Sequence, residues 1–176
     1  MNKKRVIILI FILILISVIV GLIVSSNRRL EFRIHDQDGI YFEYDNTWRL
    51  SRNENNIRLS NIGNNAVIKI IIDEKLPILN NLSTHEVANG VSYQIIGDAS
   101  SYQLVYQGIE ANLNSSYNLF SYLYIDNDNT YQIYILVGIT DNHVFSLVYQ
   151  NENEAFDLLL GNFESIVQSF YIQGTD

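Results

Sequence analysis

Residues Val6 to Val24 read VIILIFILILISVIVGLIV, nineteen positions without a charge, of which only Ser17 is polar. As a helix rising 1.5 Å per residue this run reaches about 28 Å, close to the roughly 30 Å of a bilayer's hydrocarbon core. A helix apolar on every face has no place on the surface of a small domain, so the expectation is a transmembrane anchor spanning residues 6–24. Lys3, Lys4 and Arg5 precede the run directly. That positive block keeps residues 1–5 in the cytoplasm and sends the rest of the chain outward, against a partial counter-bias from Arg28 and Arg29. The rival reading is a cleaved signal peptide. Its apolar region is normally 7–15 residues long, and the best cleavage site here, after Ser26 with Val24 at the −3 position, is poor. No Cys follows the run, which excludes a bacterial lipoprotein anchor. Both readings place the remaining 150 or so residues outside the cytoplasm. The expected localisation is a cell membrane, single-pass, with the bilayer as first partner.

The outer part is expected to be one domain. The chain has 176 residues, 48% hydrophobic and 17% charged, and no long Gly, Ser or Pro linker divides it after the run. Absence of Cys excludes a disulfide scaffold, a thiol enzyme and a Cys-ligated zinc module. A net charge of −8 argues against nucleic acid as a partner, because phosphate affinity comes from clustered Lys and Arg. The charge is unevenly spread. Asn27 to Lys75 holds eight bases and eight acids; Leu76 to Asp176 holds eleven acids and no base. An acidic half of this kind suits a basic protein partner, a loosely held divalent cation, or simple solubility.

Local patterns predict mostly strands. Leu30, Phe32 and Ile34 alternate with Glu31, Arg33 and His35, so a strand starts within the juxtamembrane segment 25–38. His35 to Gly39 reads as a turn, followed by strands over Ile40–Tyr44, Trp48–Ser51 and Ile57–Ser60. Ala66–Asp73 is apolar on both faces and predicts a strand covered on both sides. Ser83-Thr84-His85-Glu86 has the spacing of a capping box and predicts a helix to about Ile95. Four alternating strands follow: Tyr102, Leu104 and Tyr106 on one face of the first; Tyr117, Leu119, Leu123 and Ile125 on the second; Tyr131 to Val137 as the third; Val144 to Tyr149 as the fourth. Phe156, Leu160, Phe163, Val167 and Phe170 then step by 4, 3, 4 and 3, one stripe of an amphipathic helix that Asn151 or Asn153 can cap. Strands with covering helices predict an α+β fold with an antiparallel sheet.

Two segments resemble a known family. Gly39-Ile40-Tyr41-Phe42-Glu43-Tyr44-Asp45-Asn46-Thr47-Trp48 is similar to the G-hydrophobic-F-x-Y-P-x-x-W opening of PsbP-like proteins, with Asp45 in place of the usual Pro. Ile166-Val167-Gln168-Ser169-Phe170 is similar to the I-x-x-S-F that closes their last helix. The resemblance implies a PsbP-like domain over residues 39–176, built as a single αβα sandwich around a central antiparallel sheet. It implies no reaction, no cofactor and no catalytic or binding residue.

Chemistry-bearing motifs are few. His35, His85 and His143 fall in three separate predicted turns or caps, with no HxH, HxxH or HExxH pair for zinc. There is no GxSxG elbow, GxGxxG or GxxxxGK[ST]. The candidate metal ligands are Asp126 and Asp128 in Asp126-Asn127-Asp128-Asn129, whose alternating oxygens suit Ca²⁺, although a hairpin loop explains the same residues. Eight tyrosines (102, 106, 117, 122, 124, 131, 134 and 149) fall on the later strands, where exposed rings can bind sugars or proteins. Asn81-Leu82-Ser83 and Asn114-Ser115-Ser116 fit the glycosylation pattern. The expected function is a non-enzymatic, membrane-anchored extracytoplasmic binding or accessory domain, possible subunit of an envelope complex. The alternatives are a cation-dependent adhesive surface protein and, last, a hydrolase using two carboxylates.

Overall fold

A computed structural model of the protein describes residues 32–54, 56–97, 101–111, 116–126 and 128–173. The apolar run 6–24, its flanking bases, Asn114 and Asn127 lie outside the described residues. Among the described residues no helix is long and apolar enough to cross a membrane.

The described residues form ten strands and two α-helices in this order: β1 (Phe32–Gln37), β2 (Ile40–Asp45), β3 (Trp48–Asn53), β4 (Asn56–Asn61), β5 (Val67–Glu74), α1 (Thr84–Ile96), β6 (Tyr102–Ala111), β7 (Ser116–Asp126), β8 (Asn129–Ile139), β9 (His143–Glu152), α2 (Phe156–Ser169) and β10 (Tyr171–Ile172). The main sheet has seven antiparallel strands in the order β3-β4-β5-β9-β8-β7-β6. Its two faces separate by the period-two rule. Ile133, Ile135, Val137, Val144 and Val148 face α1 and pack with Val87, Ala88 and Ile96. Leu136, Leu147 and Tyr149, with Ile68 and Ile70, face the other way and pack with Phe156, Phe163 and Ile166 of α2. Helices on both faces make the αβα sandwich. A second, smaller sheet, β1-β2-β10, stands beside α2 and adds Phe42 and Tyr44 to that same core. The α+β expectation holds; the small sheet and β10 were not expected.

Local signals that act within a few residues are realised. The Ser83 side chain accepts the Glu86 amide, while the Glu86 carboxylate accepts the Ser83 amide, so the capping box is complete. Those hydrogen bonds hold the Glu86 carboxyl below the usual range. Every member of the C-terminal stripe is buried except Leu160, which is half-buried. Trp48 is fully buried in the core.

Four expectations are corrected. Neither Asn151 nor Asn153 caps α2, because the chain enters that helix through a 3-10 turn over Asn153–Ala155. Asn151 is instead a buried brace: its amide donates to the Ala155 carbonyl at 2.8 Å and to the Tyr149 hydroxyl, which itself donates to the Phe156 carbonyl at 2.7 Å. In β6 the alternation breaks, because a bulge between Leu104 and Tyr106 shifts the register. Leu104 lies opposite Tyr122 on the α1 face, whereas Tyr106 lies opposite Ser121 on the α2 face. In β5 the face bearing Lys69 and Ile71 is only half-buried, because α1 stops short of it.

The fourth correction concerns β1. The strand runs through His35 to Gln37, and the turn is only Asp38 and Gly39, with φ of 54° and 75°, joining Gln37 to its partner Ile40. Two consecutive residues with positive φ suit a tight hairpin, and Gly39 takes its place without a Cβ penalty. Phe32 and Ile34 point to solvent, and His35 is the buried residue, stacked on Phe42 at 4.8 Å. Burial, followed by the charge of Arg52, lowers the His35 pKa, and its Nε2 has no partner. A histidine held neutral contributes stability that is complete above its unfolded value of 6.5 and is lost as pH falls through the folded value. Thermal melts between pH 7.5 and 5.5 are expected to show a falling Tm for the natural chain and a flatter profile for His35→Phe; parallel profiles would refute this role.

Candidate binding groove beside helix α2

Helix α2 packs along β2 and β9 and leaves the β6 side of its sheet face open. The result is a groove of about 520 Å³. Its floor is Leu119 and Leu136 with Tyr117 and Tyr134; its helix wall is Leu160, Phe163 and Val167, with Glu164 and Gln168 at the rim; its outer wall is Tyr106. Each position follows from local geometry. Leu160, Phe163, Glu164, Val167 and Gln168 recur at helical spacing and so line one side of α2. Tyr134 is braced edge-on against Phe156 at 4.7 Å, and Tyr117 edge-on against Phe145 at 5.8 Å.

Gly108 explains the outer wall. A Cβ there would lie 2.2 Å from the Tyr106 hydroxyl oxygen and 2.7 Å from its ring. The hydroxyl end of the Tyr106 side chain therefore lies over Gly108, and a half-exposed aromatic surface borders the groove. Tyr106 reaches this face only because of the bulge before it. The strand adds a second feature. Among the described residues β6 is a terminal strand of the sheet, paired on one side to β7. Leu104, Val105, Tyr106 and Ile109 are all exposed on it, and it carries no Lys, Arg or Pro. β3, at the opposite edge, is short and bears Arg49 and Arg52, which discourage pairing.

The tyrosines seen in the sequence separate by role. Tyr117, Tyr122 and Tyr149 are buried. Tyr102, Tyr124 and Tyr131 form a stack on the α1 face, with centroids 4.8 and 5.1 Å apart. Only Tyr106, Tyr117 and Tyr134 reach the groove. The candidate metal ligands do not. Asp126 ends β7 and pairs with Asn129 across the hairpin, Asp128 is its turn residue with φ of 67°, and both are exposed. Among the described residues no group of three or more His, Asp or Glu converges. His35 is on β1, His85 is on α1 near the Gln107 amide, and His143 opens β9. The groove itself offers phenols, aliphatic side chains, one carboxamide and one carboxylate, a set suited to holding a ligand rather than to moving protons between paired groups.

No protein-family model matches the chain, and no curated protein matches it. Solved structures share its fold. The chain is similar to the solution structure of cyanobacterial PsbP (CyanoP) from Synechocystis sp. PCC 6803, with a TM-score of 0.63 at 16% identity, over 81% of this chain and 93% of that one. It is also similar to LpqN, a Mycobacterium tuberculosis protein involved in cell envelope biogenesis, with a TM-score of 0.57 at 12% identity, over 84% and 94% of the two chains. The fold is therefore PsbP-like.

Proposed function

We propose that this chain is a membrane-tethered, extracytoplasmic accessory domain of PsbP-like type that binds a protein partner and catalyses no reaction. The anchor is residues 6–24, residues 1–5 stay inside, and the outer domain fills residues 39–176, preceded by the segment 25–38 that carries the first strand. The observation that carries the binding role is the groove beside α2, bordered by an edge strand with an open side. The fold neighbours named above support an accessory role, and LpqN's part in envelope biogenesis fits a site in the cell envelope.

The occupant that fits is an extended, basic segment of a partner. An added strand satisfies the free backbone groups of β6, and its alternate side chains fall over the groove. Charge sets its composition: from Leu76 onward the chain presents acids without a single base, Glu164 among them at the rim. That same charge repels a second copy of this surface.

Hydrogen exchange on the full chain in phosphatidylcholine nanodiscs tests the reading. The probe is a ten-residue peptide alternating Tyr or Val with Lys. It is expected to slow exchange of the β6 amides, and its Glu-for-Lys counterpart and a form N-methylated along one edge are not. Equal protection by all three peptides, or by none, would overturn it, as would protection that appears with rising protein concentration alone. Protease treatment of intact cells tests the orientation: the outer domain is expected to be removed while a cytosolic marker survives.

A further inference from the structure

The α1 face of the sheet is only partly covered, and the uncovered part carries positive charge. On β3, β4 and β5 the residues that face this side include Arg49, Ser51, Arg58, Ser60, Lys69 and Ile71. Register makes the cations neighbours: Arg49 pairs with Ser60, Ser51 with Arg58, and Arg58 directly with Lys69. Like charges opposite each other on adjacent strands destabilise a sheet, since their Cβ atoms stand only about 5 Å apart. Among the described residues no acid forms an ion pair with them. The ion pair found among the described residues joins Arg52 to Asp38 at 2.7 Å, on the other side of the strand. Asp73, on the same face of β5, is four residues from Lys69, about 13 Å along the strand.

The surface here is concave. A depression of about 420 Å³ is bounded by Arg58 and Lys69 with Ser51, Asn53, Asn56 and Ile71, and at its margin by Arg52, whose charge is already met by Asp38. Lys69 is half-buried, and burial together with Arg58 beside it lowers its pKa, so the ammonium is held charged at a cost. An exposed guanidinium beside a half-buried ammonium, with carboxamide donors around them, forms a cationic surface.

We propose that this depression binds a phosphomonoester group, free or as the headgroup of a lipid. A phosphomonoester carries about −1.5 to −2 charges at neutral pH, which matches Arg58 and Lys69 together, where one carboxylate would leave a cation unanswered. Arg58 supplies a planar fork for two phosphate oxygens, Lys69 a point charge, and Asn53 and Asn56 neutral donors. This site stands on the opposite sheet face from the α2 groove and does not depend on it.

The experiment is a titration of the ¹⁵N-labelled full chain, in phosphatidylcholine nanodiscs, with inorganic phosphate and with glycerol phosphate. Shifts are expected at Arg58, Lys69 and their strand neighbours. Arg58→Gln and Lys69→Met are each expected to weaken binding about tenfold or more, as loss of a charged hydrogen bond does. Both variants are expected to keep or raise Tm, because each removes the repulsion, so lost binding will not reflect unfolding. Exchange of the discs for ones containing phosphatidic acid, whose headgroup is itself a phosphomonoester, identifies the source. Shifts at the same residues, abolished by the same variants, assign a lipid headgroup; shifts with soluble phosphate alone assign a free ester. The proposal is overturned if neither phosphate nor anionic lipid moves these residues, or if affinity is unchanged in both variants.

Discussion

Gly138→Val is expected to destabilise the folded domain by about 3 kcal/mol or more, because a side chain there has nowhere to go. Gly138 lies opposite Phe145 across β8 and β9, and a Cβ on it would come within 2.2 Å of the Phe145 ring. A ring at the end of a side chain can often swing away. This one is held, edge-on to Tyr117 and at 5.2 Å from Phe170. Moving it disturbs the contact between the main sheet and the end of α2. For a domain of this size the expected fall in Tm is about 10 °C. Gly161→Ala is the control. Gly161 is exposed in the middle of α2, a Cβ there meets nothing, and helix propensity predicts a gain of about 0.5–1 kcal/mol. Denaturant melts of both variants decide the matter. Equal behaviour of the two would mean that Phe145 relocates freely, and that its packing is looser than the ring geometry implies.

A second large effect is expected in alkali. Burial pushes the Tyr149 phenol up to about 12 from its ordinary 10, despite an opposing hydrogen bond from Asn151, and burial pushes Tyr124 to about 12 as well. Between those two pH values the unfolded chain releases protons that the folded chain retains. The stabilisation is therefore complete below pH 10 and is lost as pH rises toward 12. Two pH units correspond to about 3 kcal/mol for the fully buried Tyr149, and less for Tyr124, which is only partly buried. Tyr102 and Tyr122 are shifted upward too, mainly by burial, so they act in the same direction. Lys69 acts in the opposite direction but is a single group. Phenolate absorbance and circular dichroism followed together from pH 9 to 12 are expected to change in one cooperative step. Tyr149→Phe is expected to move that step upward, at the cost near neutrality of its bond to the Phe156 carbonyl. Phenolate formation that precedes loss of structure would refute the account.

The sequence is legible where structure depends on neighbours within a turn or a strand. Ser83 and Glu86 close their box three residues apart, and the stripe from Phe156 to Phe170 needs only helical spacing. The alternation through β7, β8 and β9 likewise survives intact, because each strand has a partner on both sides. What the sequence hides depends on distant pairing. The bulge at Val105 has no local mark, and it decides which face Tyr106 takes and hence whether the groove has an outer wall. The burial of His35 instead of Phe32 or Ile34 is set by Phe42 on β2. The basic depression is the clearest case. Arg49, Arg58 and Lys69 stand nine and eleven residues apart in a stretch whose net charge is zero, and only the register of two hairpins gathers them on one side.

The last residues of the chain close on some of the first described. Tyr171 and Ile172 pair with Tyr41 and Ile40, the Gln173 amide donates to the Gly39 carbonyl at 2.6 Å, and the Ser169 hydroxyl accepts the Glu43 amide at 2.9 Å. The hairpin of β1 and β2 thus cannot seat until residue 173 has left the ribosome. Tyr41 and Tyr171, 130 positions apart, must meet before the small sheet closes, a long-range contact of the kind that makes folding slow.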